Sequence, residues 1–186
     1  MDDYPKKFEP ARDQFGGIDL DRFPEWWKKA SKFYRGVPEE CARYWLFEHW
    51  GVSPYSSLKS REYIIERQTW PAAKILEVVS SWCRFDPEHN ACREKGEELC
   101  KKRMLNGDRY PTATYMLEEG EFPTPIVVLD NLDAHMSEDR VGRRDGLPVS
   151  LVLIEGHRRF NIALYLLTQD KLKPNVDVWL MTKIQA

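Results

Sequence analysis

The stretch LVLIEGHRRFNIALYLL, residues 151–167, constrains the fold more than any other. It starts as an apolar run, breaks at Gly156 and resumes with apolar residues at helical spacing, which predicts a strand, a tight turn and a buried helix. Short β-branched runs surround it. PIVVLD (125–130), VSLVLIE (149–155) and VDVWLMT (176–182) read as three strands, so the second half of the chain is α+β. The helix begins with a charge problem. Arg158 and Arg159 fall at the positive end of its dipole, where a cation costs ~0.3–1 kcal/mol unless something negative compensates.

Two readings answer that problem. In the first, the unpaired N–H groups of the helix start and two guanidinium forks form a phosphate site, and both arginines face a ligand. In the second, the arginines pair with carboxylates such as Glu118, Glu119 or Glu155 and hold the helix to the sheet. Glu155 accordingly reads either as a ligand for a hard cation such as Mg2+ or as a strand-end ion pair with Arg159. His157 reads as a general acid or base, as a donor to phosphate, or as a half-exposed cap.

The first half has a different texture. Residues 1–20 read as an arm broken at Gly16 and Gly17. Aromatic residues at helical spacing predict a helix over 21–34, with Pro24 in its first turn, and a second from Pro38 to Gly51. Prolines and capping residues predict further helices over 60–68, 71–82 and 87–105. The expected organisation is an N-terminal arm (1–20), a helical, Trp-rich region (21–106) and an α+β core (107–186) within one compact unit. Six of the seven tryptophans, Trp26, Trp27, Trp45, Trp50, Trp70 and Trp82, fall in the helical region. Most are expected to form the seam between helices and sheet. Adjacent Trp26 and Trp27 point about 100° apart, so one of them is expected at the edge of the buried face.

A polar insertion, residues 131–148, separates the first two strands. Its Asp133, His135, Asp139, Arg143 and Arg144 are candidates for a lid or a DNA-contacting loop, or form an ordinary solvated surface. The formal charge of −2 excludes a wholly basic nucleic-acid binder, so any DNA contact is local. No apolar run approaches the ~20 residues that span a bilayer, and a soluble, cytoplasmic chain is expected, reaching a membrane only through a partner. Cys41, Cys83, Cys92 and Cys100 are expected as core or surface thiols, with a zinc set of Cys83, His89, Cys92 and Cys100 as the alternative.

The order PIVVLD, LVLIEGHRRFNIALYL and VDVWL, preceded by TYMLEEGEFPT, resembles the core of the ParB/sulfiredoxin superfamily over about residues 108–182. In that superfamily a strand, a G-x-R-R or G-C-H-R turn and a helix form a phosphate site. Gly156, Arg158 and Arg159 match the glycine and paired arginines of the ParB form. His157 stands where that form has an acid and sulfiredoxins have their reactive cysteine, so sulfinic-acid reduction is not implied.

The resemblance implies a ParB/sulfiredoxin-like α+β fold that binds ATP or another nucleotide at Gly156, His157, Arg158 and Arg159. Glu118 and Glu119 lie in the segment that would cover the site. It further implies metal-assisted hydrolysis by Glu155, His157, Arg158 and Arg159, with Glu155 holding Mg2+. A small chain with a separate helical half also resembles the plasmid-borne fertility-inhibition proteins of the Osa type, ATPase and DNase effectors that block conjugative DNA transfer. DNA and a component or substrate of a conjugative secretion system are the partners so implied. A non-catalytic nucleotide- or nucleic-acid-binding module that blocks a protein partner through its helical half is the alternative. A second carboxylate facing Glu155 would favour hydrolysis; Glu118 and Glu119 turned to solvent would favour binding alone.

Overall fold

The computed structural model describes residues 4–53, 55, 58–106, 110–136 and 146–184. The chain is α+β. Helices α1 (Phe23–Ala30) and α2 (Glu39–Ala42) precede strand β1 (Tyr63–Pro71) and the two-residue β2 (Val78–Val79). Helices α3 (Asn90–Asn106) and α4 (Pro111–Glu119) follow, then β3 (Ile126–Asp130), β4 (Leu151–Glu155), α5 (His157–Thr168) and β5 (Asn175–Lys183). The strands form one mixed sheet in the order β1-β5-β3-β4-β2. β3 runs parallel to β5, β2 runs parallel to β4, and the pairs β1–β5 and β3–β4 are antiparallel.

Alternation along the central strands creates three layers, because successive side chains point to opposite faces. Val127, Leu129, Val152, Ile154, Trp179 and Met181 face the N-terminal aromatic region, packing with Trp26, Tyr34, Trp45, Phe47 and Trp50. Ile126, Val128, Leu151, Leu153, Val176 and Val178 face the other way, into a second cluster with Phe160, Ile162, Leu164 and Met116. A sheet covered on both faces explains why its central strands read as continuous apolar runs. α3 crosses α5 closely at Gly96. A Cβ there would lie 2.0 Å from the Asn161 carbonyl oxygen, so only glycine admits this approach.

Two expected helices are strands and turns. Residues 60–68 form a short 3-10 turn (Ser60–Glu62) and then enter β1, where Tyr63 and Ile65 face inward and Ile64 and Glu66 outward. The cause is β5: Arg67 donates to Asp177 at 2.7 Å and Thr69 donates to it at 2.6 Å across the strand pair. Residues 71–82 form a 3-10 segment (Ala72–Glu77), β2 and another 3-10 turn (Ser81–Cys83). The helix expected over 21–34 is shorter, and it ends where Ser31 to Tyr34 tighten into turns. Trp26 is buried and its indole N–H donates to the Phe8 carbonyl at 2.6 Å, whereas Trp27 lies half-buried at the edge. The arm docks on this layer, with Tyr4 edge-on to Trp50 at 5.0 Å.

Cys83 and Cys92 are joined in a disulfide rather than standing as thiols, while Cys41 and Cys100 are buried thiols. Arg84 and Phe85 adopt left-handed backbone (φ 54° and 58°), which folds the chain back so that Cys83 meets the first turn of α3. That bond replaces the zinc alternative. His89 is buried against Phe160, with Nε2 2.9 Å from the Leu76 carbonyl oxygen.

Candidate functional site

The strand-to-helix turn opens into a cleft of about 540 Å³ between the sheet's end and the N-terminal layer. One wall is Glu155, Gly156, His157, Arg158 and Arg159; the facing walls carry Tyr44, Glu48, His49, Trp82, Tyr110 and Thr124. Gly156 holds φ +93°, and a Cβ in its place would meet Ile126 Cγ2 at 2.7 Å. That left-handed turn sends β4 straight into α5. No side chain caps the helix, and the Phe160 N–H is the first to bond back to the Gly156 carbonyl, so the N–H groups of Arg158 and Arg159 at this wall have no intrahelical partner.

The two arginines have parted roles. Arg159 is turned inward, its side chain only 11% exposed, and donates to the Thr124 carbonyl at 2.6 Å, to the Thr124 hydroxyl and to the Pro125 carbonyl at 3.2 Å. Its guanidinium also lies 3.7 Å from Glu155 Oε1. Burial pushes its pKa down and Glu155 pulls it back up. The expectation that both guanidinium groups face a ligand is therefore corrected for Arg159: a buried fork finds its acceptors in the loop that leads into β3. Arg158 is exposed over the Tyr110 ring, 5.8 Å from its centroid, and pairs with no carboxylate among the described residues. It is the cation presented to the cleft.

Glu118 and Glu119 lie on α4, exposed, and neither lines this cleft. Glu118 instead borders a shallower depression of about 480 Å³ beside Pro111, Thr114 and Tyr115. The second carboxylate at the turn is Glu48. It comes from a π-helical segment, Arg43–Phe47, in which the Glu48 N–H reaches back five residues to the Arg43 carbonyl at 3.1 Å. The wide turn keeps Trp45, Leu46 and Phe47 in the core while Glu48 and His49 line the cleft. Such turns recur at functional sites. His49 Nε2 stands 3.7 Å from Glu155 Oε1, so the carboxylate lies between a histidine and a buried guanidinium.

Burial pushes the Glu48 carboxyl above its ordinary range, with His49, Arg43 and Arg159 opposing and Glu155 adding to the rise. A carboxyl raised in the folded state binds its proton more tightly there than in the unfolded chain. Its stability contribution is thus present at acid pH and lost as pH climbs from the ordinary glutamate value through the raised one. Glu48→Gln is expected to raise the thermal midpoint at pH 7, with the gain vanishing by about pH 4. An equal gain at both pH values would sink that account.

Glu155 together with Glu48 suits a hard cation shared with phosphate oxygens, since Mg2+ takes one or two carboxylates plus substrate and water. Among the described residues no three His, Cys, Asp or Glu side chains converge to cage an ion by themselves. In the 131–148 insertion, His135 bonds Asp133 and reaches the Tyr63 hydroxyl at 3.1 Å, so these two residues sit at the start of β1 and do not line the cleft. Asp139, Arg143 and Arg144 lie outside the described residues. Glu48, His49, Tyr44 and Trp82 escaped the sequence reading as site residues. Their only signal is a Glu-His pair set inside the aromatic run LFEHW.

No protein-family model matches the chain, and no curated protein and no solved structure is similar to it. No helix among the described residues is long and apolar enough to cross a membrane.

Proposed function

We propose that this chain is a metal-assisted phosphohydrolase of the ParB/sulfiredoxin type, binding ATP or another nucleotide at the Gly156–Arg159 turn and acting on nucleotide and DNA phosphates there. The observation that carries the reading is the convergence of Glu155 and Glu48 on the cleft into which α5 aims its uncapped N–H groups and Arg158. Phosphoryl oxygens suit the N–H groups and the Arg158 guanidinium, which oppose developing negative charge. Arg159 acts at one remove, fixing Glu155 and the Thr124 loop. Mg2+, held by Glu155 with Glu48, would neutralise phosphate charge and orient the attacking water. His157 lines the same wall, its ring buried rather than half-exposed and stacked on Trp82; in this reading it donates to a phosphate oxygen. The effector role, blocking conjugative DNA transfer through a secretion-system partner, belongs to the same proposal, with half-buried Trp27 at the edge of the aromatic layer as its candidate anchor.

Glu155→Gln keeps the shape and removes the charge. ATP hydrolysis and DNA cleavage are both expected to fall about a hundredfold, while metal-free nucleotide affinity survives. Loss of one activity alone would separate the sites and overturn the single-site reading. The exposure of Glu118 and Glu119 favours a second reading, a module that holds the nucleotide without chemistry. A wild-type chain that binds nucleotide and turns over neither substrate with Mg2+ would establish it.

A further inference from the structure

Trp82 is at odds with the other tryptophans. It is 54% exposed, whereas Trp26, Trp45, Trp50, Trp70 and Trp179 are buried. It lines the cleft that holds the phosphate turn. One ring face is covered by His157, with centroids 4.7 Å apart and planes inclined by 29°. The backbone that carries it is also held. The Trp82 main-chain N–H donates to Ser80 Oγ at 3.3 Å, and the next residue, Cys83, is bonded to Cys92 at the start of α3. An indole fixed from one side and open on the other, beside an anion-binding turn, fits a ligand that carries a planar ring and phosphates together. The Tyr110 and Tyr44 rings of the cleft are already engaged by Arg158 and Arg43, which leaves the indole as the open aromatic surface among the described residues. A cleft of about 540 Å³ accommodates a ligand of nucleotide size.

We propose that Trp82 is the stacking platform for the base of a nucleotide whose phosphates lie at the Gly156–Arg159 turn. The inference rests on the phosphate reading of that turn and adds what distinguishes a nucleotide from a bare polyphosphate. Base stacking on an aromatic ring contributes enough to change affinity about tenfold or more.

Calorimetric titration of the full chain with ATP and with inorganic tripolyphosphate, both with Mg2+, tests it. The wild type is expected to bind ATP about tenfold or more tighter than tripolyphosphate. Trp82→Ala should erase that advantage while leaving tripolyphosphate affinity within about twofold, and Trp82→Phe, which keeps a ring against His157, should retain most of it. Equal wild-type affinities for the two ligands would overturn the platform while leaving the phosphate site standing. So would a Trp82→Ala chain that loses both by the same factor, because Trp82 would then only shape the turn. A wild type that binds neither would overturn the phosphate reading and this inference with it.

Discussion

Arg159→Ala is expected to destabilise the protein by about 3–5 kcal/mol, the cost of removing one partner from a buried pair. The guanidinium satisfies the Thr124 and Pro125 carbonyls and stands against Glu155, itself only 19% exposed. Alanine leaves those acceptors without a donor and a carboxylate partly desolvated without its cation. Lysine keeps the charge but not the planar fork, so Arg159→Lys should recover only part of the loss. Arg158→Ala is the control. Its exposed side chain sits at the positive end of α5, and stability should move by no more than about 0.5 kcal/mol. Urea unfolding at constant slope reads all three. An unchanged midpoint for Arg159→Ala, with ligand binding lost, would return Arg159 to the ligand and reverse the division of labour between the two arginines.

The second large effect lies away from the cleft. Gly96→Ala should cost about 3 kcal/mol or more, because its methyl would meet the backbone of α5, 2.0 Å from the Asn161 carbonyl oxygen and 2.6 Å from its carbon. A flexible side chain could move aside, but this obstacle is a helix backbone. The helices must separate, and Asn161 lies only about one turn into α5 from the Gly156–Arg159 turn at that helix's start. If the turn holds a nucleotide as proposed, the variant should therefore lose that affinity along with stability, although Gly96 lines no part of the cleft. Unaltered unfolding would show that α3 can shift freely against α5. Loss of stability with full affinity would show that the turn is held by the sheet alone.

What could be read from the sequence follows how local each cause is. β3, β4, β5 and α5 were legible because β-branched runs are punctuated by Gly156 and by Pro174, and because a sheet covered on both faces leaves continuous apolar strands. β1 was not. YIIERQTWP carries charges and follows a serine that suits a helix cap, and its strand character comes from pairing with residues more than one hundred positions away. The turn at Gly156 was visible as a motif since its parts are adjacent in the chain. Its second carboxylate was not, because Glu48 reaches the cleft only through a π-helical turn and the packing of one layer on another. The pairing of Arg159 with Glu155 was among the readings left open; its hold on Thr124 and Pro125, which makes it a structural anchor, needed the fold.

The strand order has a consequence for how the protein is made. Both edge strands, β1 and β2, come from the first half of the chain, yet each is hydrogen-bonded only to a strand from the second. On a ribosome, β1 emerges first and its partner β5 last among the described strands, with about 120 residues of synthesis between Tyr63 and Lys183. Until then the aromatic layer has only part of its sheet to cover, and Trp26, Trp45 and Phe47 lack the native contribution of Trp179 and Met181 from β5. Between the emergence of β1 and that of β5, a nascent chain of this topology exposes apolar surface of the kind that invites aggregation and chaperone binding.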